Sequence, residues 1–200
     1  MFDIVELSVQ PRILTLPNFL SDEECAHLIE RARPKIAPST TVDPETGEFI
    51  LVEARSSTST YFMIRETPTI TGIEDRIALL LGLPVENGEG LQVLNYSVGQ
   101  EYRPHFDFFD PNLKGSATVM ASGGQRVATC ILYLNDVEEG GETHFPELDI
   151  RVRPQKGSAL LFINVTQEGE VDRKTLHASL PVIAGEKWIS TKWVREREYK

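Results

Sequence analysis

The chain has 200 residues, of which 40% are hydrophobic and 25% charged, proportions typical of one soluble globular domain spanning residues 1–200. Thirty acidic and twenty basic residues give a formal net charge of −10, which repels a phosphate backbone and excludes nucleic acid as an expected partner. No apolar stretch approaches the roughly 20 residues that span a bilayer, and the acidic start is unlike a secretory signal, so we expect a cytoplasmic protein with no membrane partner.

The first helix is predicted shortly after the start of the chain. An apolar segment at residues 11–19 predicts a short strand, and Ser21 with Glu24 three residues later has the pattern of a capping box. Apolar residues at helical spacing then continue to about Arg33. His27 lies off this apolar stripe, so we expect it to be a solvated surface residue and not a metal ligand.

A second helix follows a long polar segment. Residues 37–59 are rich in turn-forming residues and predict a loop or hairpin, which is either a flap over a substrate or a plain surface excursion. Thr71 and Glu74 form another capping-box pattern, and Gly82 marks the predicted helix end. Two helices within residues 1–90, ahead of a strand-rich remainder, predict helices that buttress one face of a sheet.

The remainder of the chain, residues 91–195, is predicted to be a β-sandwich. Short segments rich in β-branched or aromatic residues are separated by turn residues, which is typical of a sandwich or barrel. These segments are residues 91–98, 126–134, 150–152, 158–164, 176–182 and 188–194. The fold class is therefore mostly β (α+β), with a jelly-roll core. Residues 108–125 form a second long connection, read as a mobile lid or as a disordered loop without a role.

Three residues have the spacing and chemistry of a metal site. His105 and Asp107 are separated by one residue, so an extended strand directs both side chains to the same face. An antiparallel jelly roll can return His177, in another strand-like segment, to the same place. Two imidazoles and one carboxylate on one triangular face leave three positions open, as in non-heme Fe(II) oxygenases.

Lys187 is the fourth residue of this predicted site. It follows His177 closely and is expected on the next antiparallel strand. A lysine that enters a barrel interior needs an anion, because a buried unpaired ammonium is costly. A dicarboxylate co-substrate would supply that anion.

Other residues that can bind metals are not expected to do so. His144 should point to the face opposite Thr143 if that strand continues. Glu138, Glu139 and Glu142 surround a Gly-rich turn and are predicted to be solvated.

Several separated segments of the chain form a recognisable series: residues 91–96, 99–107, 125–129, 133–143, 176–178 and 187–193. In this order they resemble the catalytic domain of prolyl 4-hydroxylases, in particular a small bacterial-type member. The likeness is dense over residues 91–195 and loose over the N-terminal helices.

This resemblance implies a double-stranded β-helix core and an Fe(II)- and 2-oxoglutarate-dependent dioxygenase that hydroxylates peptidyl proline at its 4 position. Succinate and CO2 are the implied co-products of O2 consumption, and ascorbate is the implied reductant. His105, Asp107 and His177 match the positions that hold iron. Lys187 matches the residue that pairs with the distal carboxylate of 2-oxoglutarate.

The resemblance also assigns residues around the co-substrate and the peptide. Tyr96 and Thr143 match hydroxyls that bind 2-oxoglutarate, while Tyr102, Arg126 and Trp193 match positions lining the peptide site. The implied partner is a proline-containing peptide or protein, and a homodimer is compatible with the likeness. Two alternatives stay open: the same chemistry on another amino acid or a small molecule, and a catalytically silent jelly-roll binding module.

Overall fold

The computed structural model describes residues 3–200, which form antiparallel sheets with three helices. In chain order the elements are β1 (Val5–Ser8), β2 (Ile13–Leu16), α1 (Asp22–Ala32), β3 (Ala37–Pro38), β4 (Thr41–Val42), β5 (Phe49–Ile50), β6 (Thr58–Phe62), α2 (Pro68–Leu81), β7 (Leu91–Tyr96), β8 (Tyr102–His105), α3 (Lys114–Met120), β9 (Arg126–Tyr133), β10 (Glu139–Gly140), β11 (Thr143–Phe145), β12 (Ile150–Val152), β13 (Ala159–Ile163), β14 (His177–Ser179), β15 (Val182–Ala184) and β16 (Lys187–Arg195). None of the helices in this part of the chain is long and apolar enough to cross a membrane.

Two sheets make up the sandwich. The large sheet has the strand order β1-β2-β13-β9-β16-β7-β6-β3, and the small sheet has the order β12-β11-β14-β8. The remaining strands form two separate pairs, β10 with β15 and β4 with β5. The predicted jelly-roll class is confirmed by this arrangement of antiparallel sheets.

The central strands of the large sheet are buried on both faces. Helices α1 and α2 pack on one face, where Leu28 and Ile73 belong to the same apolar cluster as Leu132. A second cluster lies on the other face and includes Phe145 from the small sheet and Phe162 from the large one. Because both faces are covered, strands β7 and β16 are buried at every position and their sequences do not alternate between apolar and polar residues.

Helix α1 begins as predicted, but His27 does not behave as a free surface residue. The Ser21 and Glu24 side chains each bond to the other's backbone N–H, which completes the capping box. The half-buried His27 ring lies 3.0 Å from the Thr67 hydroxyl, through Nε2. His27 therefore joins α1 to the residue that caps α2, and it is not part of a metal site.

Helix α2 begins one turn earlier than predicted, so the proposed capping box at Thr71 and Glu74 is wrong. Thr67 is the N-cap and accepts a hydrogen bond from the backbone N–H of Ile70. Glu74 is buried instead of capping the helix, and its carboxylate lies 2.6 Å from Lys192 Nζ. Gly82 ends the helix in the left-handed conformation, as predicted.

The predicted strand at residues 176–182 is in fact two strands in different pairings. Strand β14 belongs to the small sheet, whereas β15 pairs with β10. Lys187 begins β16 in the large sheet, and β15 comes between β14 and β16 in the chain, so the expectation that Lys187 lies on the antiparallel strand directly after that of His177 is wrong. This crossover places the two residues on the facing sheets of the sandwich.

Candidate active site

The three predicted metal ligands come together at one end of the small sheet. His105 ends β8 and His177 begins β14, and the two are directly paired across the antiparallel ladder. Asp107 lies just beyond the end of β8. One ligand atom from each residue lies within 4.8 Å of the other two, and the carboxylate oxygens are 3.7 Å from His105 Nε2 and 3.6 Å from His177 Nε2.

The backbone fixes the orientation of both imidazole rings. His105 Nδ1 lies 2.9 Å from the carbonyl oxygen of Arg103, and His177 Nδ1 lies 2.9 Å from that of Thr175. A neutral imidazole that donates Nδ1–H to a carbonyl keeps an unprotonated Nε2, the form that binds a metal. Both Nε2 atoms therefore face Asp107 with their lone pairs available.

The charges of the site suit a divalent cation. Burial, reinforced by the neighbouring His177, lowers the pKa of His105 to about 3, so this ring stays neutral around pH 7. Burial alone would raise the pKa of Asp107, but the neighbouring His177, His105 and Arg126 and the hydrogen bond from Thr129 together outweigh it and hold that pKa below its ordinary value. A buried carboxylate with nitrogen donors on one face is a donor set that fits ferrous iron.

A cavity of about 160 Å³ lies beside the triad. All nine residues predicted for the site line this single cavity, although they come from both sheets and the connections between them. They are Tyr96, Tyr102, His105, Asp107, Arg126, Thr143, His177, Lys187 and Trp193.

Lys187 lies at the inner part of this cavity and is fully buried. Its ammonium donates to the Ser179 hydroxyl over 2.7 Å and lies 5.2 Å from the centre of the Tyr96 ring. Burial lowers the pKa of Lys187 to about 7, an effect that the distant charge of Glu142 opposes. Among residues 3–200 no carboxylate forms a salt bridge with it, so the cavity can accept an anion such as a carboxylate of 2-oxoglutarate.

The two predicted co-substrate hydroxyls are buried near Lys187. Tyr96 pairs with Lys187 across β7 and β16. The Thr143 hydroxyl lies 2.8 Å from that of Tyr133, a residue that no local pattern distinguishes because it occupies an apolar strand. Ser179 was also missed, although the two-residue period of a strand places it on the same face as His177.

Tyr102 packs directly on a metal ligand. Its ring stacks on His105 with centroids 3.5 Å apart and an angle of 14° between the planes. The Arg55 guanidinium lies 4.8 Å from the Tyr102 centroid, and the Tyr102 hydroxyl is 3.3 Å from that of Thr41. Arg55 lies in the turn-rich segment, where no local pattern distinguishes it.

Arg126 is held by Glu89, an acidic residue that no sequence pattern marks as part of the site. Its Nε and Nη2 atoms donate to Glu89 over 2.6 and 2.8 Å. The guanidinium lies 3.9 Å from the Trp193 ring centre. Glu89 also accepts a hydrogen bond of 2.6 Å from Arg195. The Trp193 indole N–H is buried without a hydrogen-bond partner in the described chain.

The two long connections meet at the cavity rim. Residues 37–59 contain β3, the β4–β5 hairpin and the start of β6, and residues 108–125 contain α3. The Gly115 N–H donates to the carbonyl of Pro44 in the hairpin over 3.0 Å. The Gln125 side-chain amide bonds to both the N–H and the carbonyl of Phe109, at 2.8 and 2.7 Å, which closes the base of the second connection.

The residues that were not expected to bind metal lie outside the metal site. Within the described chain the triad is the one grouping with metal-binding geometry. Glu138 and Glu139 are exposed and Glu142 is half-buried. His144 is absent from the cavity lining.

Comparison with known proteins identifies the family. The model of the 2OG-Fe(II) oxygenase superfamily matches residues 91–195, which include the triad and Lys187. This chain belongs to that superfamily. The superfamily's name specifies the iron and the 2-oxoglutarate for which the ligands and the buried lysine are suited.

Within this superfamily the chain is similar to prolyl 4-hydroxylases. Probable prolyl 4-hydroxylase 10 of Arabidopsis thaliana is 43% identical over an alignment covering 97% of this chain and 72% of that protein. Prolyl 4-hydroxylase 5 of the same plant is 41% identical with the same coverage. The chain is therefore a member of the prolyl 4-hydroxylase family, as its motifs indicated.

Solved structures support the same fold. The viral collagen prolyl hydroxylase vCPH of Paramecium Bursaria Chlorella virus-1, in its 2OG complex, superposes with a TM-score of 0.72 at 33% identity, covering 92% of this chain and 95% of that one. A Pseudomonas putida prolyl-4-hydroxylase superposes with a TM-score of 0.64, covering 92% of each chain. At 19% identity the second likeness supports the fold alone.

Proposed function

We propose that this protein is an Fe(II)- and 2-oxoglutarate-dependent dioxygenase that hydroxylates prolyl residues of a peptide or protein at the 4 position. The observation that carries the proposal is the convergence of His105, Asp107, His177 and Lys187 on one cavity from two facing sheets. Family membership and the 43% identity to a plant relative support the same reaction.

The bound iron and co-substrate would supply the oxidative chemistry: one oxygen atom of O2 enters succinate as 2-oxoglutarate loses CO2, and the other becomes the hydroxyl group of the product. The protein holds and orients these groups. The triad would bind the metal through two ring nitrogens and a carboxylate. The Lys187 ammonium would bind the far carboxylate of the dicarboxylate, with Tyr96 and Thr143 as neighbouring hydroxyls.

The cavity walls would also exclude water from the reacting groups. Ile131 and Ile189 line the cavity on the side of the large sheet, and Phe106 and Phe108 line it near the triad. An apolar wall limits side reactions of the reactive centre and strengthens the electrostatic contacts within it.

The outer part of the cavity suits a proline-containing chain. Tyr102 and Trp193 offer aromatic faces on which a pyrrolidine ring can pack. Arg126 is fixed against Trp193 by Glu89 and donates to the Asp107 carbonyl through Nη1 at 3.4 Å.

The proposal also includes ascorbate as reductant, a homodimeric assembly and a cytoplasmic location. Ascorbate and the dimer are supported by the family resemblance.

The decisive experiment incubates the purified protein with Fe(II), 2-oxoglutarate and a proline-rich peptide, and measures succinate together with the peptide mass. We expect a gain of one oxygen atom on proline, recovered as 4-hydroxyproline after hydrolysis. The matched peptide with alanine in place of proline should gain no oxygen, and the His177→Ala variant should give neither product. Oxygen gained on another residue would favour the alternative substrate, and 2-oxoglutarate binding without any turnover would favour the silent module.

A further inference from the structure

A buried chain of hydrogen bonds ends on the carboxylate of the triad. Thr129, on β9, donates its hydroxyl to Asp107 Oδ2 over 2.8 Å. The side-chain nitrogen of Asn164, just beyond β13, donates to the same Thr129 hydroxyl oxygen over 3.0 Å. Thr129 and Asn164 are both fully buried.

The chemistry of the three groups fixes the direction of this chain. The Asn164 amide nitrogen can only donate, so it occupies a lone pair of the Thr129 oxygen and leaves the hydroxyl hydrogen free. An ionised carboxylate can only accept, so that hydrogen is directed at Asp107. The hydrogen bond therefore fixes the position of one carboxylate oxygen of Asp107.

Asp107 is the ligand that most needs such support. His105 and His177 lie within strands of the small sheet, and each ring is already bonded to a carbonyl two residues before it. Asp107 lies beyond the end of β8, where no strand ladder fixes it. Its carboxylate is instead held from the opposite sheet by Thr129.

The supporting residues are themselves rigidly placed. Thr129 is paired with Phe162 on one side and with Trp193 on the other, in the middle of the large sheet. The backbone N–H of Asn164 donates to Val127 over 2.8 Å, and its carbonyl accepts from Asp172 over 2.9 Å. A side chain anchored in this way can hold a ligand in one position.

We propose that Thr129 and Asn164 are positioning residues, which set the Asp107 carboxylate for metal binding from the opposite sheet of the sandwich. The inference rests on the proposed function, because it concerns the metal site of the same reaction. Neither residue lines the cavity, so neither is expected to contact the co-substrate or the peptide.

The test measures the dissociation constant of Fe(II) alone under anaerobic conditions, together with the melting temperature of each metal-free variant. Thr129→Val keeps the shape and removes the hydroxyl, and we expect it to weaken Fe(II) binding by about 10- to 100-fold. Thr129→Ser keeps the hydroxyl and should restore binding to within about threefold of the parent. Asn164→Asp places an acceptor where a donor was, competes for the Thr129 hydrogen, and should also weaken binding.

The matched control is Ser190→Ala. Ser190 is a fully buried residue of the neighbouring strand β16, and its hydroxyl has no hydrogen-bond partner in the described chain. Loss of the Ser190 hydroxyl should leave Fe(II) affinity unchanged. The control therefore separates the effect of the hydrogen bonds to Asp107 from the effect of deleting any buried hydroxyl.

The outcomes are distinct. If folded Thr129→Val and Asn164→Asp proteins bind Fe(II) as tightly as the parent, the positioning role is overturned while the proposed function stands. If the parent itself fails to bind Fe(II), the proposed function fails. If Thr129→Val does not fold, the Fe(II) affinities of Asn164→Asp and Thr129→Ser are compared instead. Weaker binding by Asn164→Asp alone supports the positioning role, and equal binding by both overturns it.

Discussion

The Lys187 ammonium and the Ser179 hydroxyl are joined by a hydrogen bond of 2.7 Å that spans the two sheets of the sandwich. Lys187 begins β16 in the large sheet, and Ser179 ends β14 in the small sheet, two residues after His177. One neutral hydroxyl does not compensate a fully buried positive charge. Below about pH 7, where Lys187 is protonated, the metal-free protein therefore holds a buried cation that only an anion entering the cavity would neutralise.

The first prediction concerns the stability of the metal-free protein. Lys187→Met removes the buried charge and keeps most of the side-chain volume, so we expect unfolding free energy at about pH 6 to rise by about 1–4 kcal/mol. The same variant should lose 2-oxoglutarate binding. Chemical denaturation and calorimetric titration measure the two effects. A variant that is less stable than the parent and still binds 2-oxoglutarate would show that Lys187 is not an anion site.

The second prediction is a pH dependence of 2-oxoglutarate binding. A dicarboxylate binds the charged form of Lys187, whose pKa is lowered to about 7 by burial. Affinity should therefore fall as pH rises above about 7, by up to about tenfold per pH unit. His105, with a pKa of about 3, does not change its charge in this range. Lys187→Arg keeps its charge at these pH values and should remove the dependence. A flat profile in the parent would contradict the prediction.

The lowered pKa of Lys187 also makes the stability of the metal-free protein depend on pH. Stability should rise with pH, whereas the affinity for 2-oxoglutarate should fall. In the unfolded chain the lysine has its ordinary pKa of 10.5, whereas in the folded protein the value is about 7. Between these values the unfolded state binds more protons, so the stability of the metal-free protein should increase with pH. Denaturation at about pH 7 and about pH 9 should show this increase in the parent and not in Lys187→Met.

The sequence predicted the parts of the site that depend on local patterns. The one-residue gap between His105 and Asp107 fixes their common face, and the short strands bounded by turn residues indicate the sandwich that returns His177. All three meet as predicted. Strand bounds such as Ile150–Val152 agree with the structure because turn residues mark them directly.

The features that were missed depend on long-range contacts. Glu89 pairs with Arg126, but the two residues are too far apart in the sequence for a periodic pattern to predict their contact. The start of α2 was misplaced because Thr67 and Thr71 both have a capping side chain, and burial of Glu74 against Lys192 decided between them. Such choices are made by packing between distant segments, which local propensity does not contain.

The third prediction separates two arginines that share one carboxylate. Arg126 and Arg195 both bond to Glu89, but only Arg126 lines the cavity. Arg126→Lys loses the paired hydrogen bonds and the stacking on Trp193, so the KM for peptide should rise about tenfold or more, while that for 2-oxoglutarate stays unchanged. Arg195→Lys is the control and should leave both constants within about twofold. Equal effects of the two variants on peptide KM would indicate a general structural role.

The fourth prediction concerns the contact between the two connections at the cavity rim. A Cβ atom added at Gly115 would lie 2.5 Å from the Gly47 nitrogen and 2.8 Å from the Asp43 carbonyl oxygen. Gly115→Ala should therefore separate α3 from the β4–β5 hairpin, raise the peptide KM and increase proteolysis of the hairpin, without changing 2-oxoglutarate binding.

The control for that prediction is Gly72→Ala in α2, where an added Cβ meets nothing within 4 Å. This change should leave the peptide KM unaltered and stabilise the helix by about 0.5–1 kcal/mol. If Gly115→Ala behaves in the same way, the two connections do not shape the peptide site together.

The fifth prediction concerns the buried ion pair that joins α2 to the large sheet. Lys192 Nζ lies 2.6 Å from Glu74, and both side chains are almost completely buried. Burial lowers the pKa of Lys192, and Glu74 opposes that effect. Glu74→Gln leaves the ammonium buried without its counter-charge, so we expect a loss of about 3–5 kcal/mol in unfolding free energy.

The double variant Glu74→Leu with Lys192→Met should recover most of that loss, because two apolar side chains of similar size carry no desolvation cost. Asp75→Asn is the matched control: Asp75 lies on the same helix as Glu74, its carboxylate forms an exposed pair with Arg65, which precedes the helix, and its loss should change stability by less than about 1 kcal/mol. Denaturant unfolding of the parent and the three variants measures whether Glu74→Gln costs more than Asp75→Asn and whether the double variant recovers that cost. If Glu74→Gln costs no more than Asp75→Asn, the pair does not anchor α2, and packing of its apolar face alone must hold the helix on the sheet.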